Sequence, residues 1–359
     1  MTQVLIAPGR YVQGAGAIHE IGQHASLLGK SALVTGSRTG LAQTREAILR
    51  SLESAGITGV VEAFNGESSW EEIDRLATEA EGAQCDLVIG VGGGKALDTA
   101  KAVAFKAGAR AAMVPTIAST DAPCSAISII YTPEHTFQQV LTLPRNPDLV
   151  LVDTAVCARA PVRFLVAGMG DALATWFEAD ACQRSGSRSI TLTAMALARL
   201  CYNTLLDYGL QAREAASKGA VTPAVEKIVE ANTLLSGLGF ESAGLAAAHS
   251  VYDGFTILHH RHHMYHGEVV AFGTLVQLVI EGRPESDVLE VVDFCASVGL
   301  PYTLSQMNLG DIQDKELMAV AEKATAEGEY VHNMAVKVTP GMMRDAIVAA
   351  DAIGQAFQR

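Results

Sequence analysis

Residues 259–268 read HHRHHMYHGE, which places five histidines within eight positions. Histidine is the commonest metal ligand among side chains. The spacing inside one segment leaves open whether one ring, several or none would hold an ion. A second stretch, DLVIGVGGGKALDTAKAVAF, runs from a strand-like segment into Gly92, Gly93 and Gly94 and then into a helical pattern. Glycines let a backbone approach an anion closely, and the free N–H groups at a helix start favour a pyrophosphate. The P-loop pattern fails, because Ile89 stands five before Gly94 and Ala96 follows Lys95. Dinucleotide binding at Gly92–Lys95 is expected, with a glycine turn used only for tightness as the plainer alternative. A third stretch, VPTIASTDAPCSAISIIYT, gathers small hydroxyl residues around Asp121. It reads either as a polar loop with an aspartate-capped turn or as the lining of a cofactor groove.

These groups need a scaffold. Strand-like runs at 31–36, 59–64, 86–94, 111–116 and 148–153 alternate with amphipathic stretches such as AQTREAILRSLESAG and WEEIDRLATEAEG. Such alternation predicts a parallel sheet with helices on both faces. Beyond RAPVRF the strand-like runs nearly vanish and helical patterns follow one another. The expected organisation is therefore an α/β dinucleotide-binding domain over residues 1–160 and an all-α domain over 161–359, with the boundary near Pro161. A cleft between two such domains is where small-molecule sites tend to lie.

Composition narrows the function. A chain of 359 residues with 49% hydrophobic and 18% charged residues is globular and long enough for two domains. A net charge of -13 without a basic run argues against a nucleic-acid or anionic-membrane partner. No apolar run reaches the roughly 18–20 residues of a membrane span, and the start lacks a signal-peptide pattern. Six scattered cysteines with no CxxC favour a reduced, cytoplasmic enzyme with free thiols.

With the stretches above, AGMGDALATWFEA and GLAAAHSVYDGF…HHMYHGEVVAFGTLVQL make the chain resemble the glycerol dehydrogenases, the zinc-using branch of the iron-containing alcohol dehydrogenase family. The resemblance runs from PGRYVQG near the start to AEGEYVHNM near the end. It implies a dehydroquinate synthase-like architecture in which an NAD-binding α/β domain precedes a helical metal domain. It also implies Asp171, His249 and His266 as ligands of Zn2+, so one ring of the histidine cluster serves the metal. His249 and His266 lie 17 residues apart and would sit on different sides of one continuous helix, so separate elements must carry them. His259, His260, His262 and His263 are expected to be loop or cleft residues. By the same resemblance Ser37, Gly92–Lys95, Ala96 and Asp98 bind the cofactor. Thr116, Ser119, Ser125, Ile127 and Tyr131 line its nicotinamide side, and Asp121 hydrogen-bonds the substrate.

The activity this implies is NAD(P)-dependent oxidation of glycerol, or a similar vicinal diol, to dihydroxyacetone, by a zinc-assisted hydride transfer. The family forms large homo-oligomers, octamers among them. Iron-using relatives carry a further histidine four residues after the aspartate; here that position is Thr175. Three N/O ligands with an open fourth position suit catalytic zinc. Asp171 would alternatively serve only as a helix N-cap. A departure lies after the first strand, where the family commonly has an aspartate and this chain has Ser37–Arg38. Losing that carboxylate and gaining an arginine admits NADP as well as NAD. A dehydroquinate synthase-like cyclase shares the architecture but needs a basic pocket for a substrate phosphate, and these motifs offer few cations.

Overall fold

The computed structural model describes residues 2–358. Contacts divide the chain into two units. One comprises Ile6–Leu165 and Glu214–Gly237, the other Met1–Leu5, Val166–Arg213 and Leu238–Arg359.

The first unit is built on a parallel sheet. Its strands are β1 (Tyr11–Gly14), β2 (Ser31–Gly36), β3 (Thr58–Ala63), β4 (Leu87–Gly92), β5 (Arg110–Pro115) and β8 (Leu149–Asp153). They lie in the order β1-β8-β5-β4-β2-β3, and every pairing is parallel. Central strands β4 and β8 are buried along their whole length, which accounts for apolar runs that do not alternate. A separate antiparallel hairpin pairs β6 (Ile127–Tyr131) with β7 (Phe137–Thr142). Helices α1 (Ile21–Ala25), α2 (Arg38–Ser54), α3 (Trp70–Gly82) and α4 (Gly94–Lys106) lie in the connections between strands, and α5 (Thr154–Arg159) follows β8. Ser37 and Ser69 start α2 and α3 as N-caps, each hydroxyl accepting a backbone N–H one turn on.

The chain passes from β2 out to β3 and then back to β4 on the other side of β2. That reversal puts a topological switch point at the carboxyl ends of β2 and β4, where open α/β sheets receive ligands.

The second unit is helical. It holds most of α6 (Val162–Ser185), α7 (Leu192–Ala216) and α9 (Ser236–Ala243), and the whole of α10 (Ala247–Phe255), α11 (His259–His262), α12 (His266–Ile280), α13 (Glu285–Val298) and α14 (Asp314–Ala324), with α15 (Pro340–Phe357). Helix α8 (Pro223–Glu230) and the π-helical turn Ala231–Leu235 belong to the first unit. Among the described residues no strand follows β8, and no helix is long and apolar enough to cross a membrane. All six cysteines are free and buried.

The fold decides two local alternatives. Helix α6 begins at Val162, so Asp171 stands in mid-helix and is not its N-cap. The histidines at 259–262 form the short helix α11 rather than a loop. His262 is buried there, its Nδ1 accepting the Met264 N–H at 3.0 Å.

Candidate metal and cofactor sites

Three helices bring three side chains to one point. Asp171 projects from the middle of α6, His249 from the first turn of α10 and His266 from the first residue of α12. Backbone proximity makes this possible. A Cβ added to Gly170 would lie 2.2 Å from Gly267 O, and one added to Gly267 would lie 1.9 Å from Ala167 O. Only glycine therefore permits α6 and α12 to cross at this distance, and the crossing sits beside Asp171 and His266 in sequence. Gly273 gives α12 the same close approach to α10, where a Cβ would lie 2.4 Å from Ala248 O.

His266 Nε2 stands 3.1 Å and His249 Nε2 3.4 Å from Asp171 Oδ1. One ligand atom from each of the three residues lies within 4.8 Å of the others. Ligands at about 2.0–2.2 Å from a tetrahedral ion stand roughly 3.3–3.5 Å apart, so this spacing suits a divalent cation. The second carboxylate oxygen, Asp171 Oδ2, is buried without a hydrogen-bond partner. A buried carboxylate in that state calls for a cation. Burial alone would raise the Asp171 carboxyl, but the facing His266 and His249 rings override it and hold it well below the usual range. For His249, burial favours the neutral ring, yet Glu178 and Asp171 outweigh it and raise its pKa well above the ordinary value.

Glu178, which sequence reasoning missed, orients His249. It is fully buried on α6, and its Oε2 accepts from His249 Nδ1 at 2.7 Å. Its Oε1 accepts the Ala246 and His249 backbone N–H groups at 2.8 and 3.0 Å, capping α10. A carboxylate on Nδ1 fixes the tautomer that leaves Nε2 free to bind an ion. The clue in the sequence was its position seven residues, about two turns, beyond Asp171 on the same helix face. Tyr252 packs edge-on against the His266 ring at 4.2 Å. Thr175 is buried, its methyl lying where a Cβ on Gly239 would come within 2.6 Å.

The expected cofactor residues gather in the sheet unit. Ser37 follows β2, Gly92–Gly94 end β4 and open α4, and Thr116 follows β5. Gly92 has φ +142°, a conformation side chains rarely adopt, and a Cβ there would lie 3.0 Å from Ser37 Oγ. Helix α4 starts at the N-cap Gly93, which offers no side chain to its first N–H groups. Those donors sit at the switch point, where an anionic group can take them. Ile117 covers the turn, its Cδ1 lying 2.7 Å from where a Gly93 Cβ would be. Lys95 places its ammonium 4.7 Å over the Tyr131 ring and 2.6 Å from Glu67 Oε2.

The other residues of the set fall differently. Ala96 is buried in α4, while Ser119 and Ile127 are half-buried and Ser125 is buried. Asp98 is buried too, its Oδ2 accepting the Ile129 N–H at 3.1 Å, so it reaches strand β6 rather than open space. Asp121 Oδ2 accepts the Ser236 hydroxyl at 2.6 Å. Arg38 is exposed and makes no ion pair among the described residues.

The sequence has close counterparts. Residues 8–154 match the iron-containing alcohol dehydrogenase family. The chain is 49% identical to a glycerol dehydrogenase of Escherichia coli O6:H1 over 99% of both chains. It is 46% identical to a glycolaldehyde reductase of Halobacterium salinarum, again over 99% of both. The chain belongs to the iron-containing alcohol dehydrogenase family. A probable glycerol dehydrogenase from Sinorhizobium meliloti 1021 superposes with a TM-score of 0.93 at 43% identity, covering 99% of this chain and 100% of that one. This member of the family is an oxidoreductase, with the parallel α/β sheet and the helical region expected of it.

Proposed function

We propose that this enzyme oxidises glycerol, or a close vicinal diol, to the corresponding hydroxyketone with NAD as hydride acceptor and zinc held by Asp171, His249 and His266. The convergence of those three side chains, with the second oxygen of the buried Asp171 carboxylate left unpartnered, carries the reading. Full-length similarity to glycerol dehydrogenases supports the substrate.

When bound, zinc supplies Lewis acidity that lowers the pKa of the substrate hydroxyl. Three protein ligands and an open position favour zinc in a catalytic role, and Thr175 stands where iron-using relatives have a fourth ligand. Asp171 offers the charged oxygen, and Glu178 holds His249 with its Nε2 toward that oxygen. In the sheet unit, Gly92, Gly93, Gly94 and Lys95 bind the pyrophosphate through backbone N–H groups, Ala96 closing the first turn of α4. Ser37 and Thr116 flank this turn. Ser119, Ser125, Ile127 and Tyr131 line the nicotinamide side, Asp98 supporting them from below through Ile129. Asp121 accepts a substrate hydroxyl. Ser37–Arg38 leaves NADP as an acceptable second cofactor. Six free thiols fit a reducing, cytoplasmic setting. Domains at 1–160 and 161–359 and assembly into a homo-oligomer complete the proposal.

A second reading, reduction of a small hydroxyaldehyde, draws support from the glycolaldehyde reductase relative. A panel of diols and hydroxyaldehydes, run with both cofactors on protein of defined metal content and followed at the reduced-nicotinamide absorbance, separates the two. Glycerol or propane-1,2-diol turning over fastest supports the first reading; a higher kcat/KM for glycolaldehyde overturns it.

A further inference from the structure

Lys101 is among the largest fully buried side chains of the described residues. An ammonium out of water is costly unless oxygens replace its hydration shell. Here they do. Its Nζ lies 2.8 Å from Ala122 O, hydrogen-bonds Ile127 O, and stands 3.4 Å from both Ser125 O and Ser125 Oγ. Asp98 Oδ1, one turn earlier on α4, lies 2.9 Å away as a charge contact. The same turn of helix takes two more bonds from the segment, since Ile129 N–H donates to Asp98 Oδ2 and the Ser128 hydroxyl to Asp98 O at 2.9 Å. Residues 122–129 are thereby fastened to α4, the helix that begins at the glycine turn.

The other flank of this segment is fastened independently. Asn232, in the π-helical turn, donates to Ala118 O at 2.9 Å, and Ser236 donates to Asp121 Oδ2. Between the two anchors lies the stretch that carries Asp121, Ser125 and Ile127. Ahead of β6, which begins at Ile127, its only regular structure is the three-residue turn Ala122–Cys124. A ligand-contacting segment of this kind keeps its geometry only if something outside it does the holding.

We propose that Lys101 is a positioning residue for the reaction: its buried ammonium binds the carbonyl oxygens of Ala122, Ser125 and Ile127 and so fixes the segment that places nicotinamide and diol for hydride transfer. It touches neither reactant. Its enclosure by oxygens and its lack of exposure exclude a nucleophilic or Schiff-base role. The inference rests on the assignment of Asp121, Ser125 and Ile127 under Proposed function, and deepens it.

Lys101→Ala leaves a space shaped for three methylenes and an ammonium. The expected loss in kcat is about 100-fold, the scale of an ångström of misplacement, with zinc affinity at Asp171, His249 and His266 within twofold of wild type. Propylammonium should restore at least a tenth of the lost rate, and tetramethylammonium, which has no N–H to donate, should restore none. Backbone hydrogen exchange should quicken in peptides spanning 118–131 and nowhere else. Should Lys101→Ala not fold, the double variant Asp98→Asn, Lys101→Met removes both charges while keeping the volume, and the same kcat loss and exchange change are expected of it. Wild-type kcat in a folded variant, or exchange that rises evenly over the whole sheet unit, overturns the proposal. So does rescue by tetramethylammonium equal to that by propylammonium. If wild type turns over a different alcohol, the substrate reading fails while the same comparison is made on that alcohol; exchange and NAD titration need no substrate at all.

Discussion

In the proposed reading the Asp171 cluster and the glycine-turn region each hold a foreign group, by opposite means. Around Asp171, His249 and His266 the work is done by side chains on long helices whose backbones nearly touch at Gly170, Gly267 and Gly273. Around Gly92–Ile127 it is done by backbone: a turn with φ +142°, an uncapped helix start, and a segment pinned by Lys101 and Ser236. Side chains that bind an ion must be exact in identity, so their loss should be all-or-none. A backbone cradle depends on where the chain is held, so its weak points lie outside the contact residues.

The largest effect should follow from His266→Ala. Turnover and stoichiometric zinc binding should both fall to background, while NAD affinity, which belongs to the sheet unit, stays within twofold; near-normal activity in metal-replete protein contradicts the ligand assignment. Next comes Glu178→Gln, which keeps the volume but weakens the grip on His249 Nδ1. Zinc Kd should weaken about 10–100-fold, read by competition with a chelating dye, and an unchanged Kd would show that Glu178 only caps α10. The smallest effect concerns cofactor choice. Arg38 is exposed, so pairing with a 2′-phosphate is worth at most about 1 kcal/mol. Arg38→Ala should lower kcat/KM for NADP about 2–5-fold and leave that for NAD unchanged; a large wild-type preference for NAD would defeat the idea that Ser37–Arg38 relaxes selection.

The same contrast decides what the sequence revealed. Strands β2, β3, β4, β5 and β8 were legible because their runs are apolar and bounded by turn residues. Short β1 was not, nor was β7, whose FQQVLT is mostly exposed and lacks a buried face. The start of α6 was hidden because VRFLVAGMG is glycine-rich and reads as a loop, whereas Gly170 serves a helix crossing. In the metal site, Asp171, His249 and His266 emerged from motif resemblance. Glu178 did not, since its partner lies 71 residues away and a spacing of seven from Asp171 on one helix face is too common a pattern to single it out. Lys101 is not distinguished in the sequence from any other lysine on an amphipathic helix. Only the fold shows that the Ala122–Ile127 segment wraps its ammonium.

Diffraction from zinc-loaded crystals, collected on both sides of the zinc absorption edge, tests the central claim most directly. The account predicts one anomalous peak within bonding distance of Asp171, His249 Nε2 and His266 Nε2. A zinc peak elsewhere, with those three side chains unliganded in an active enzyme, would contradict it.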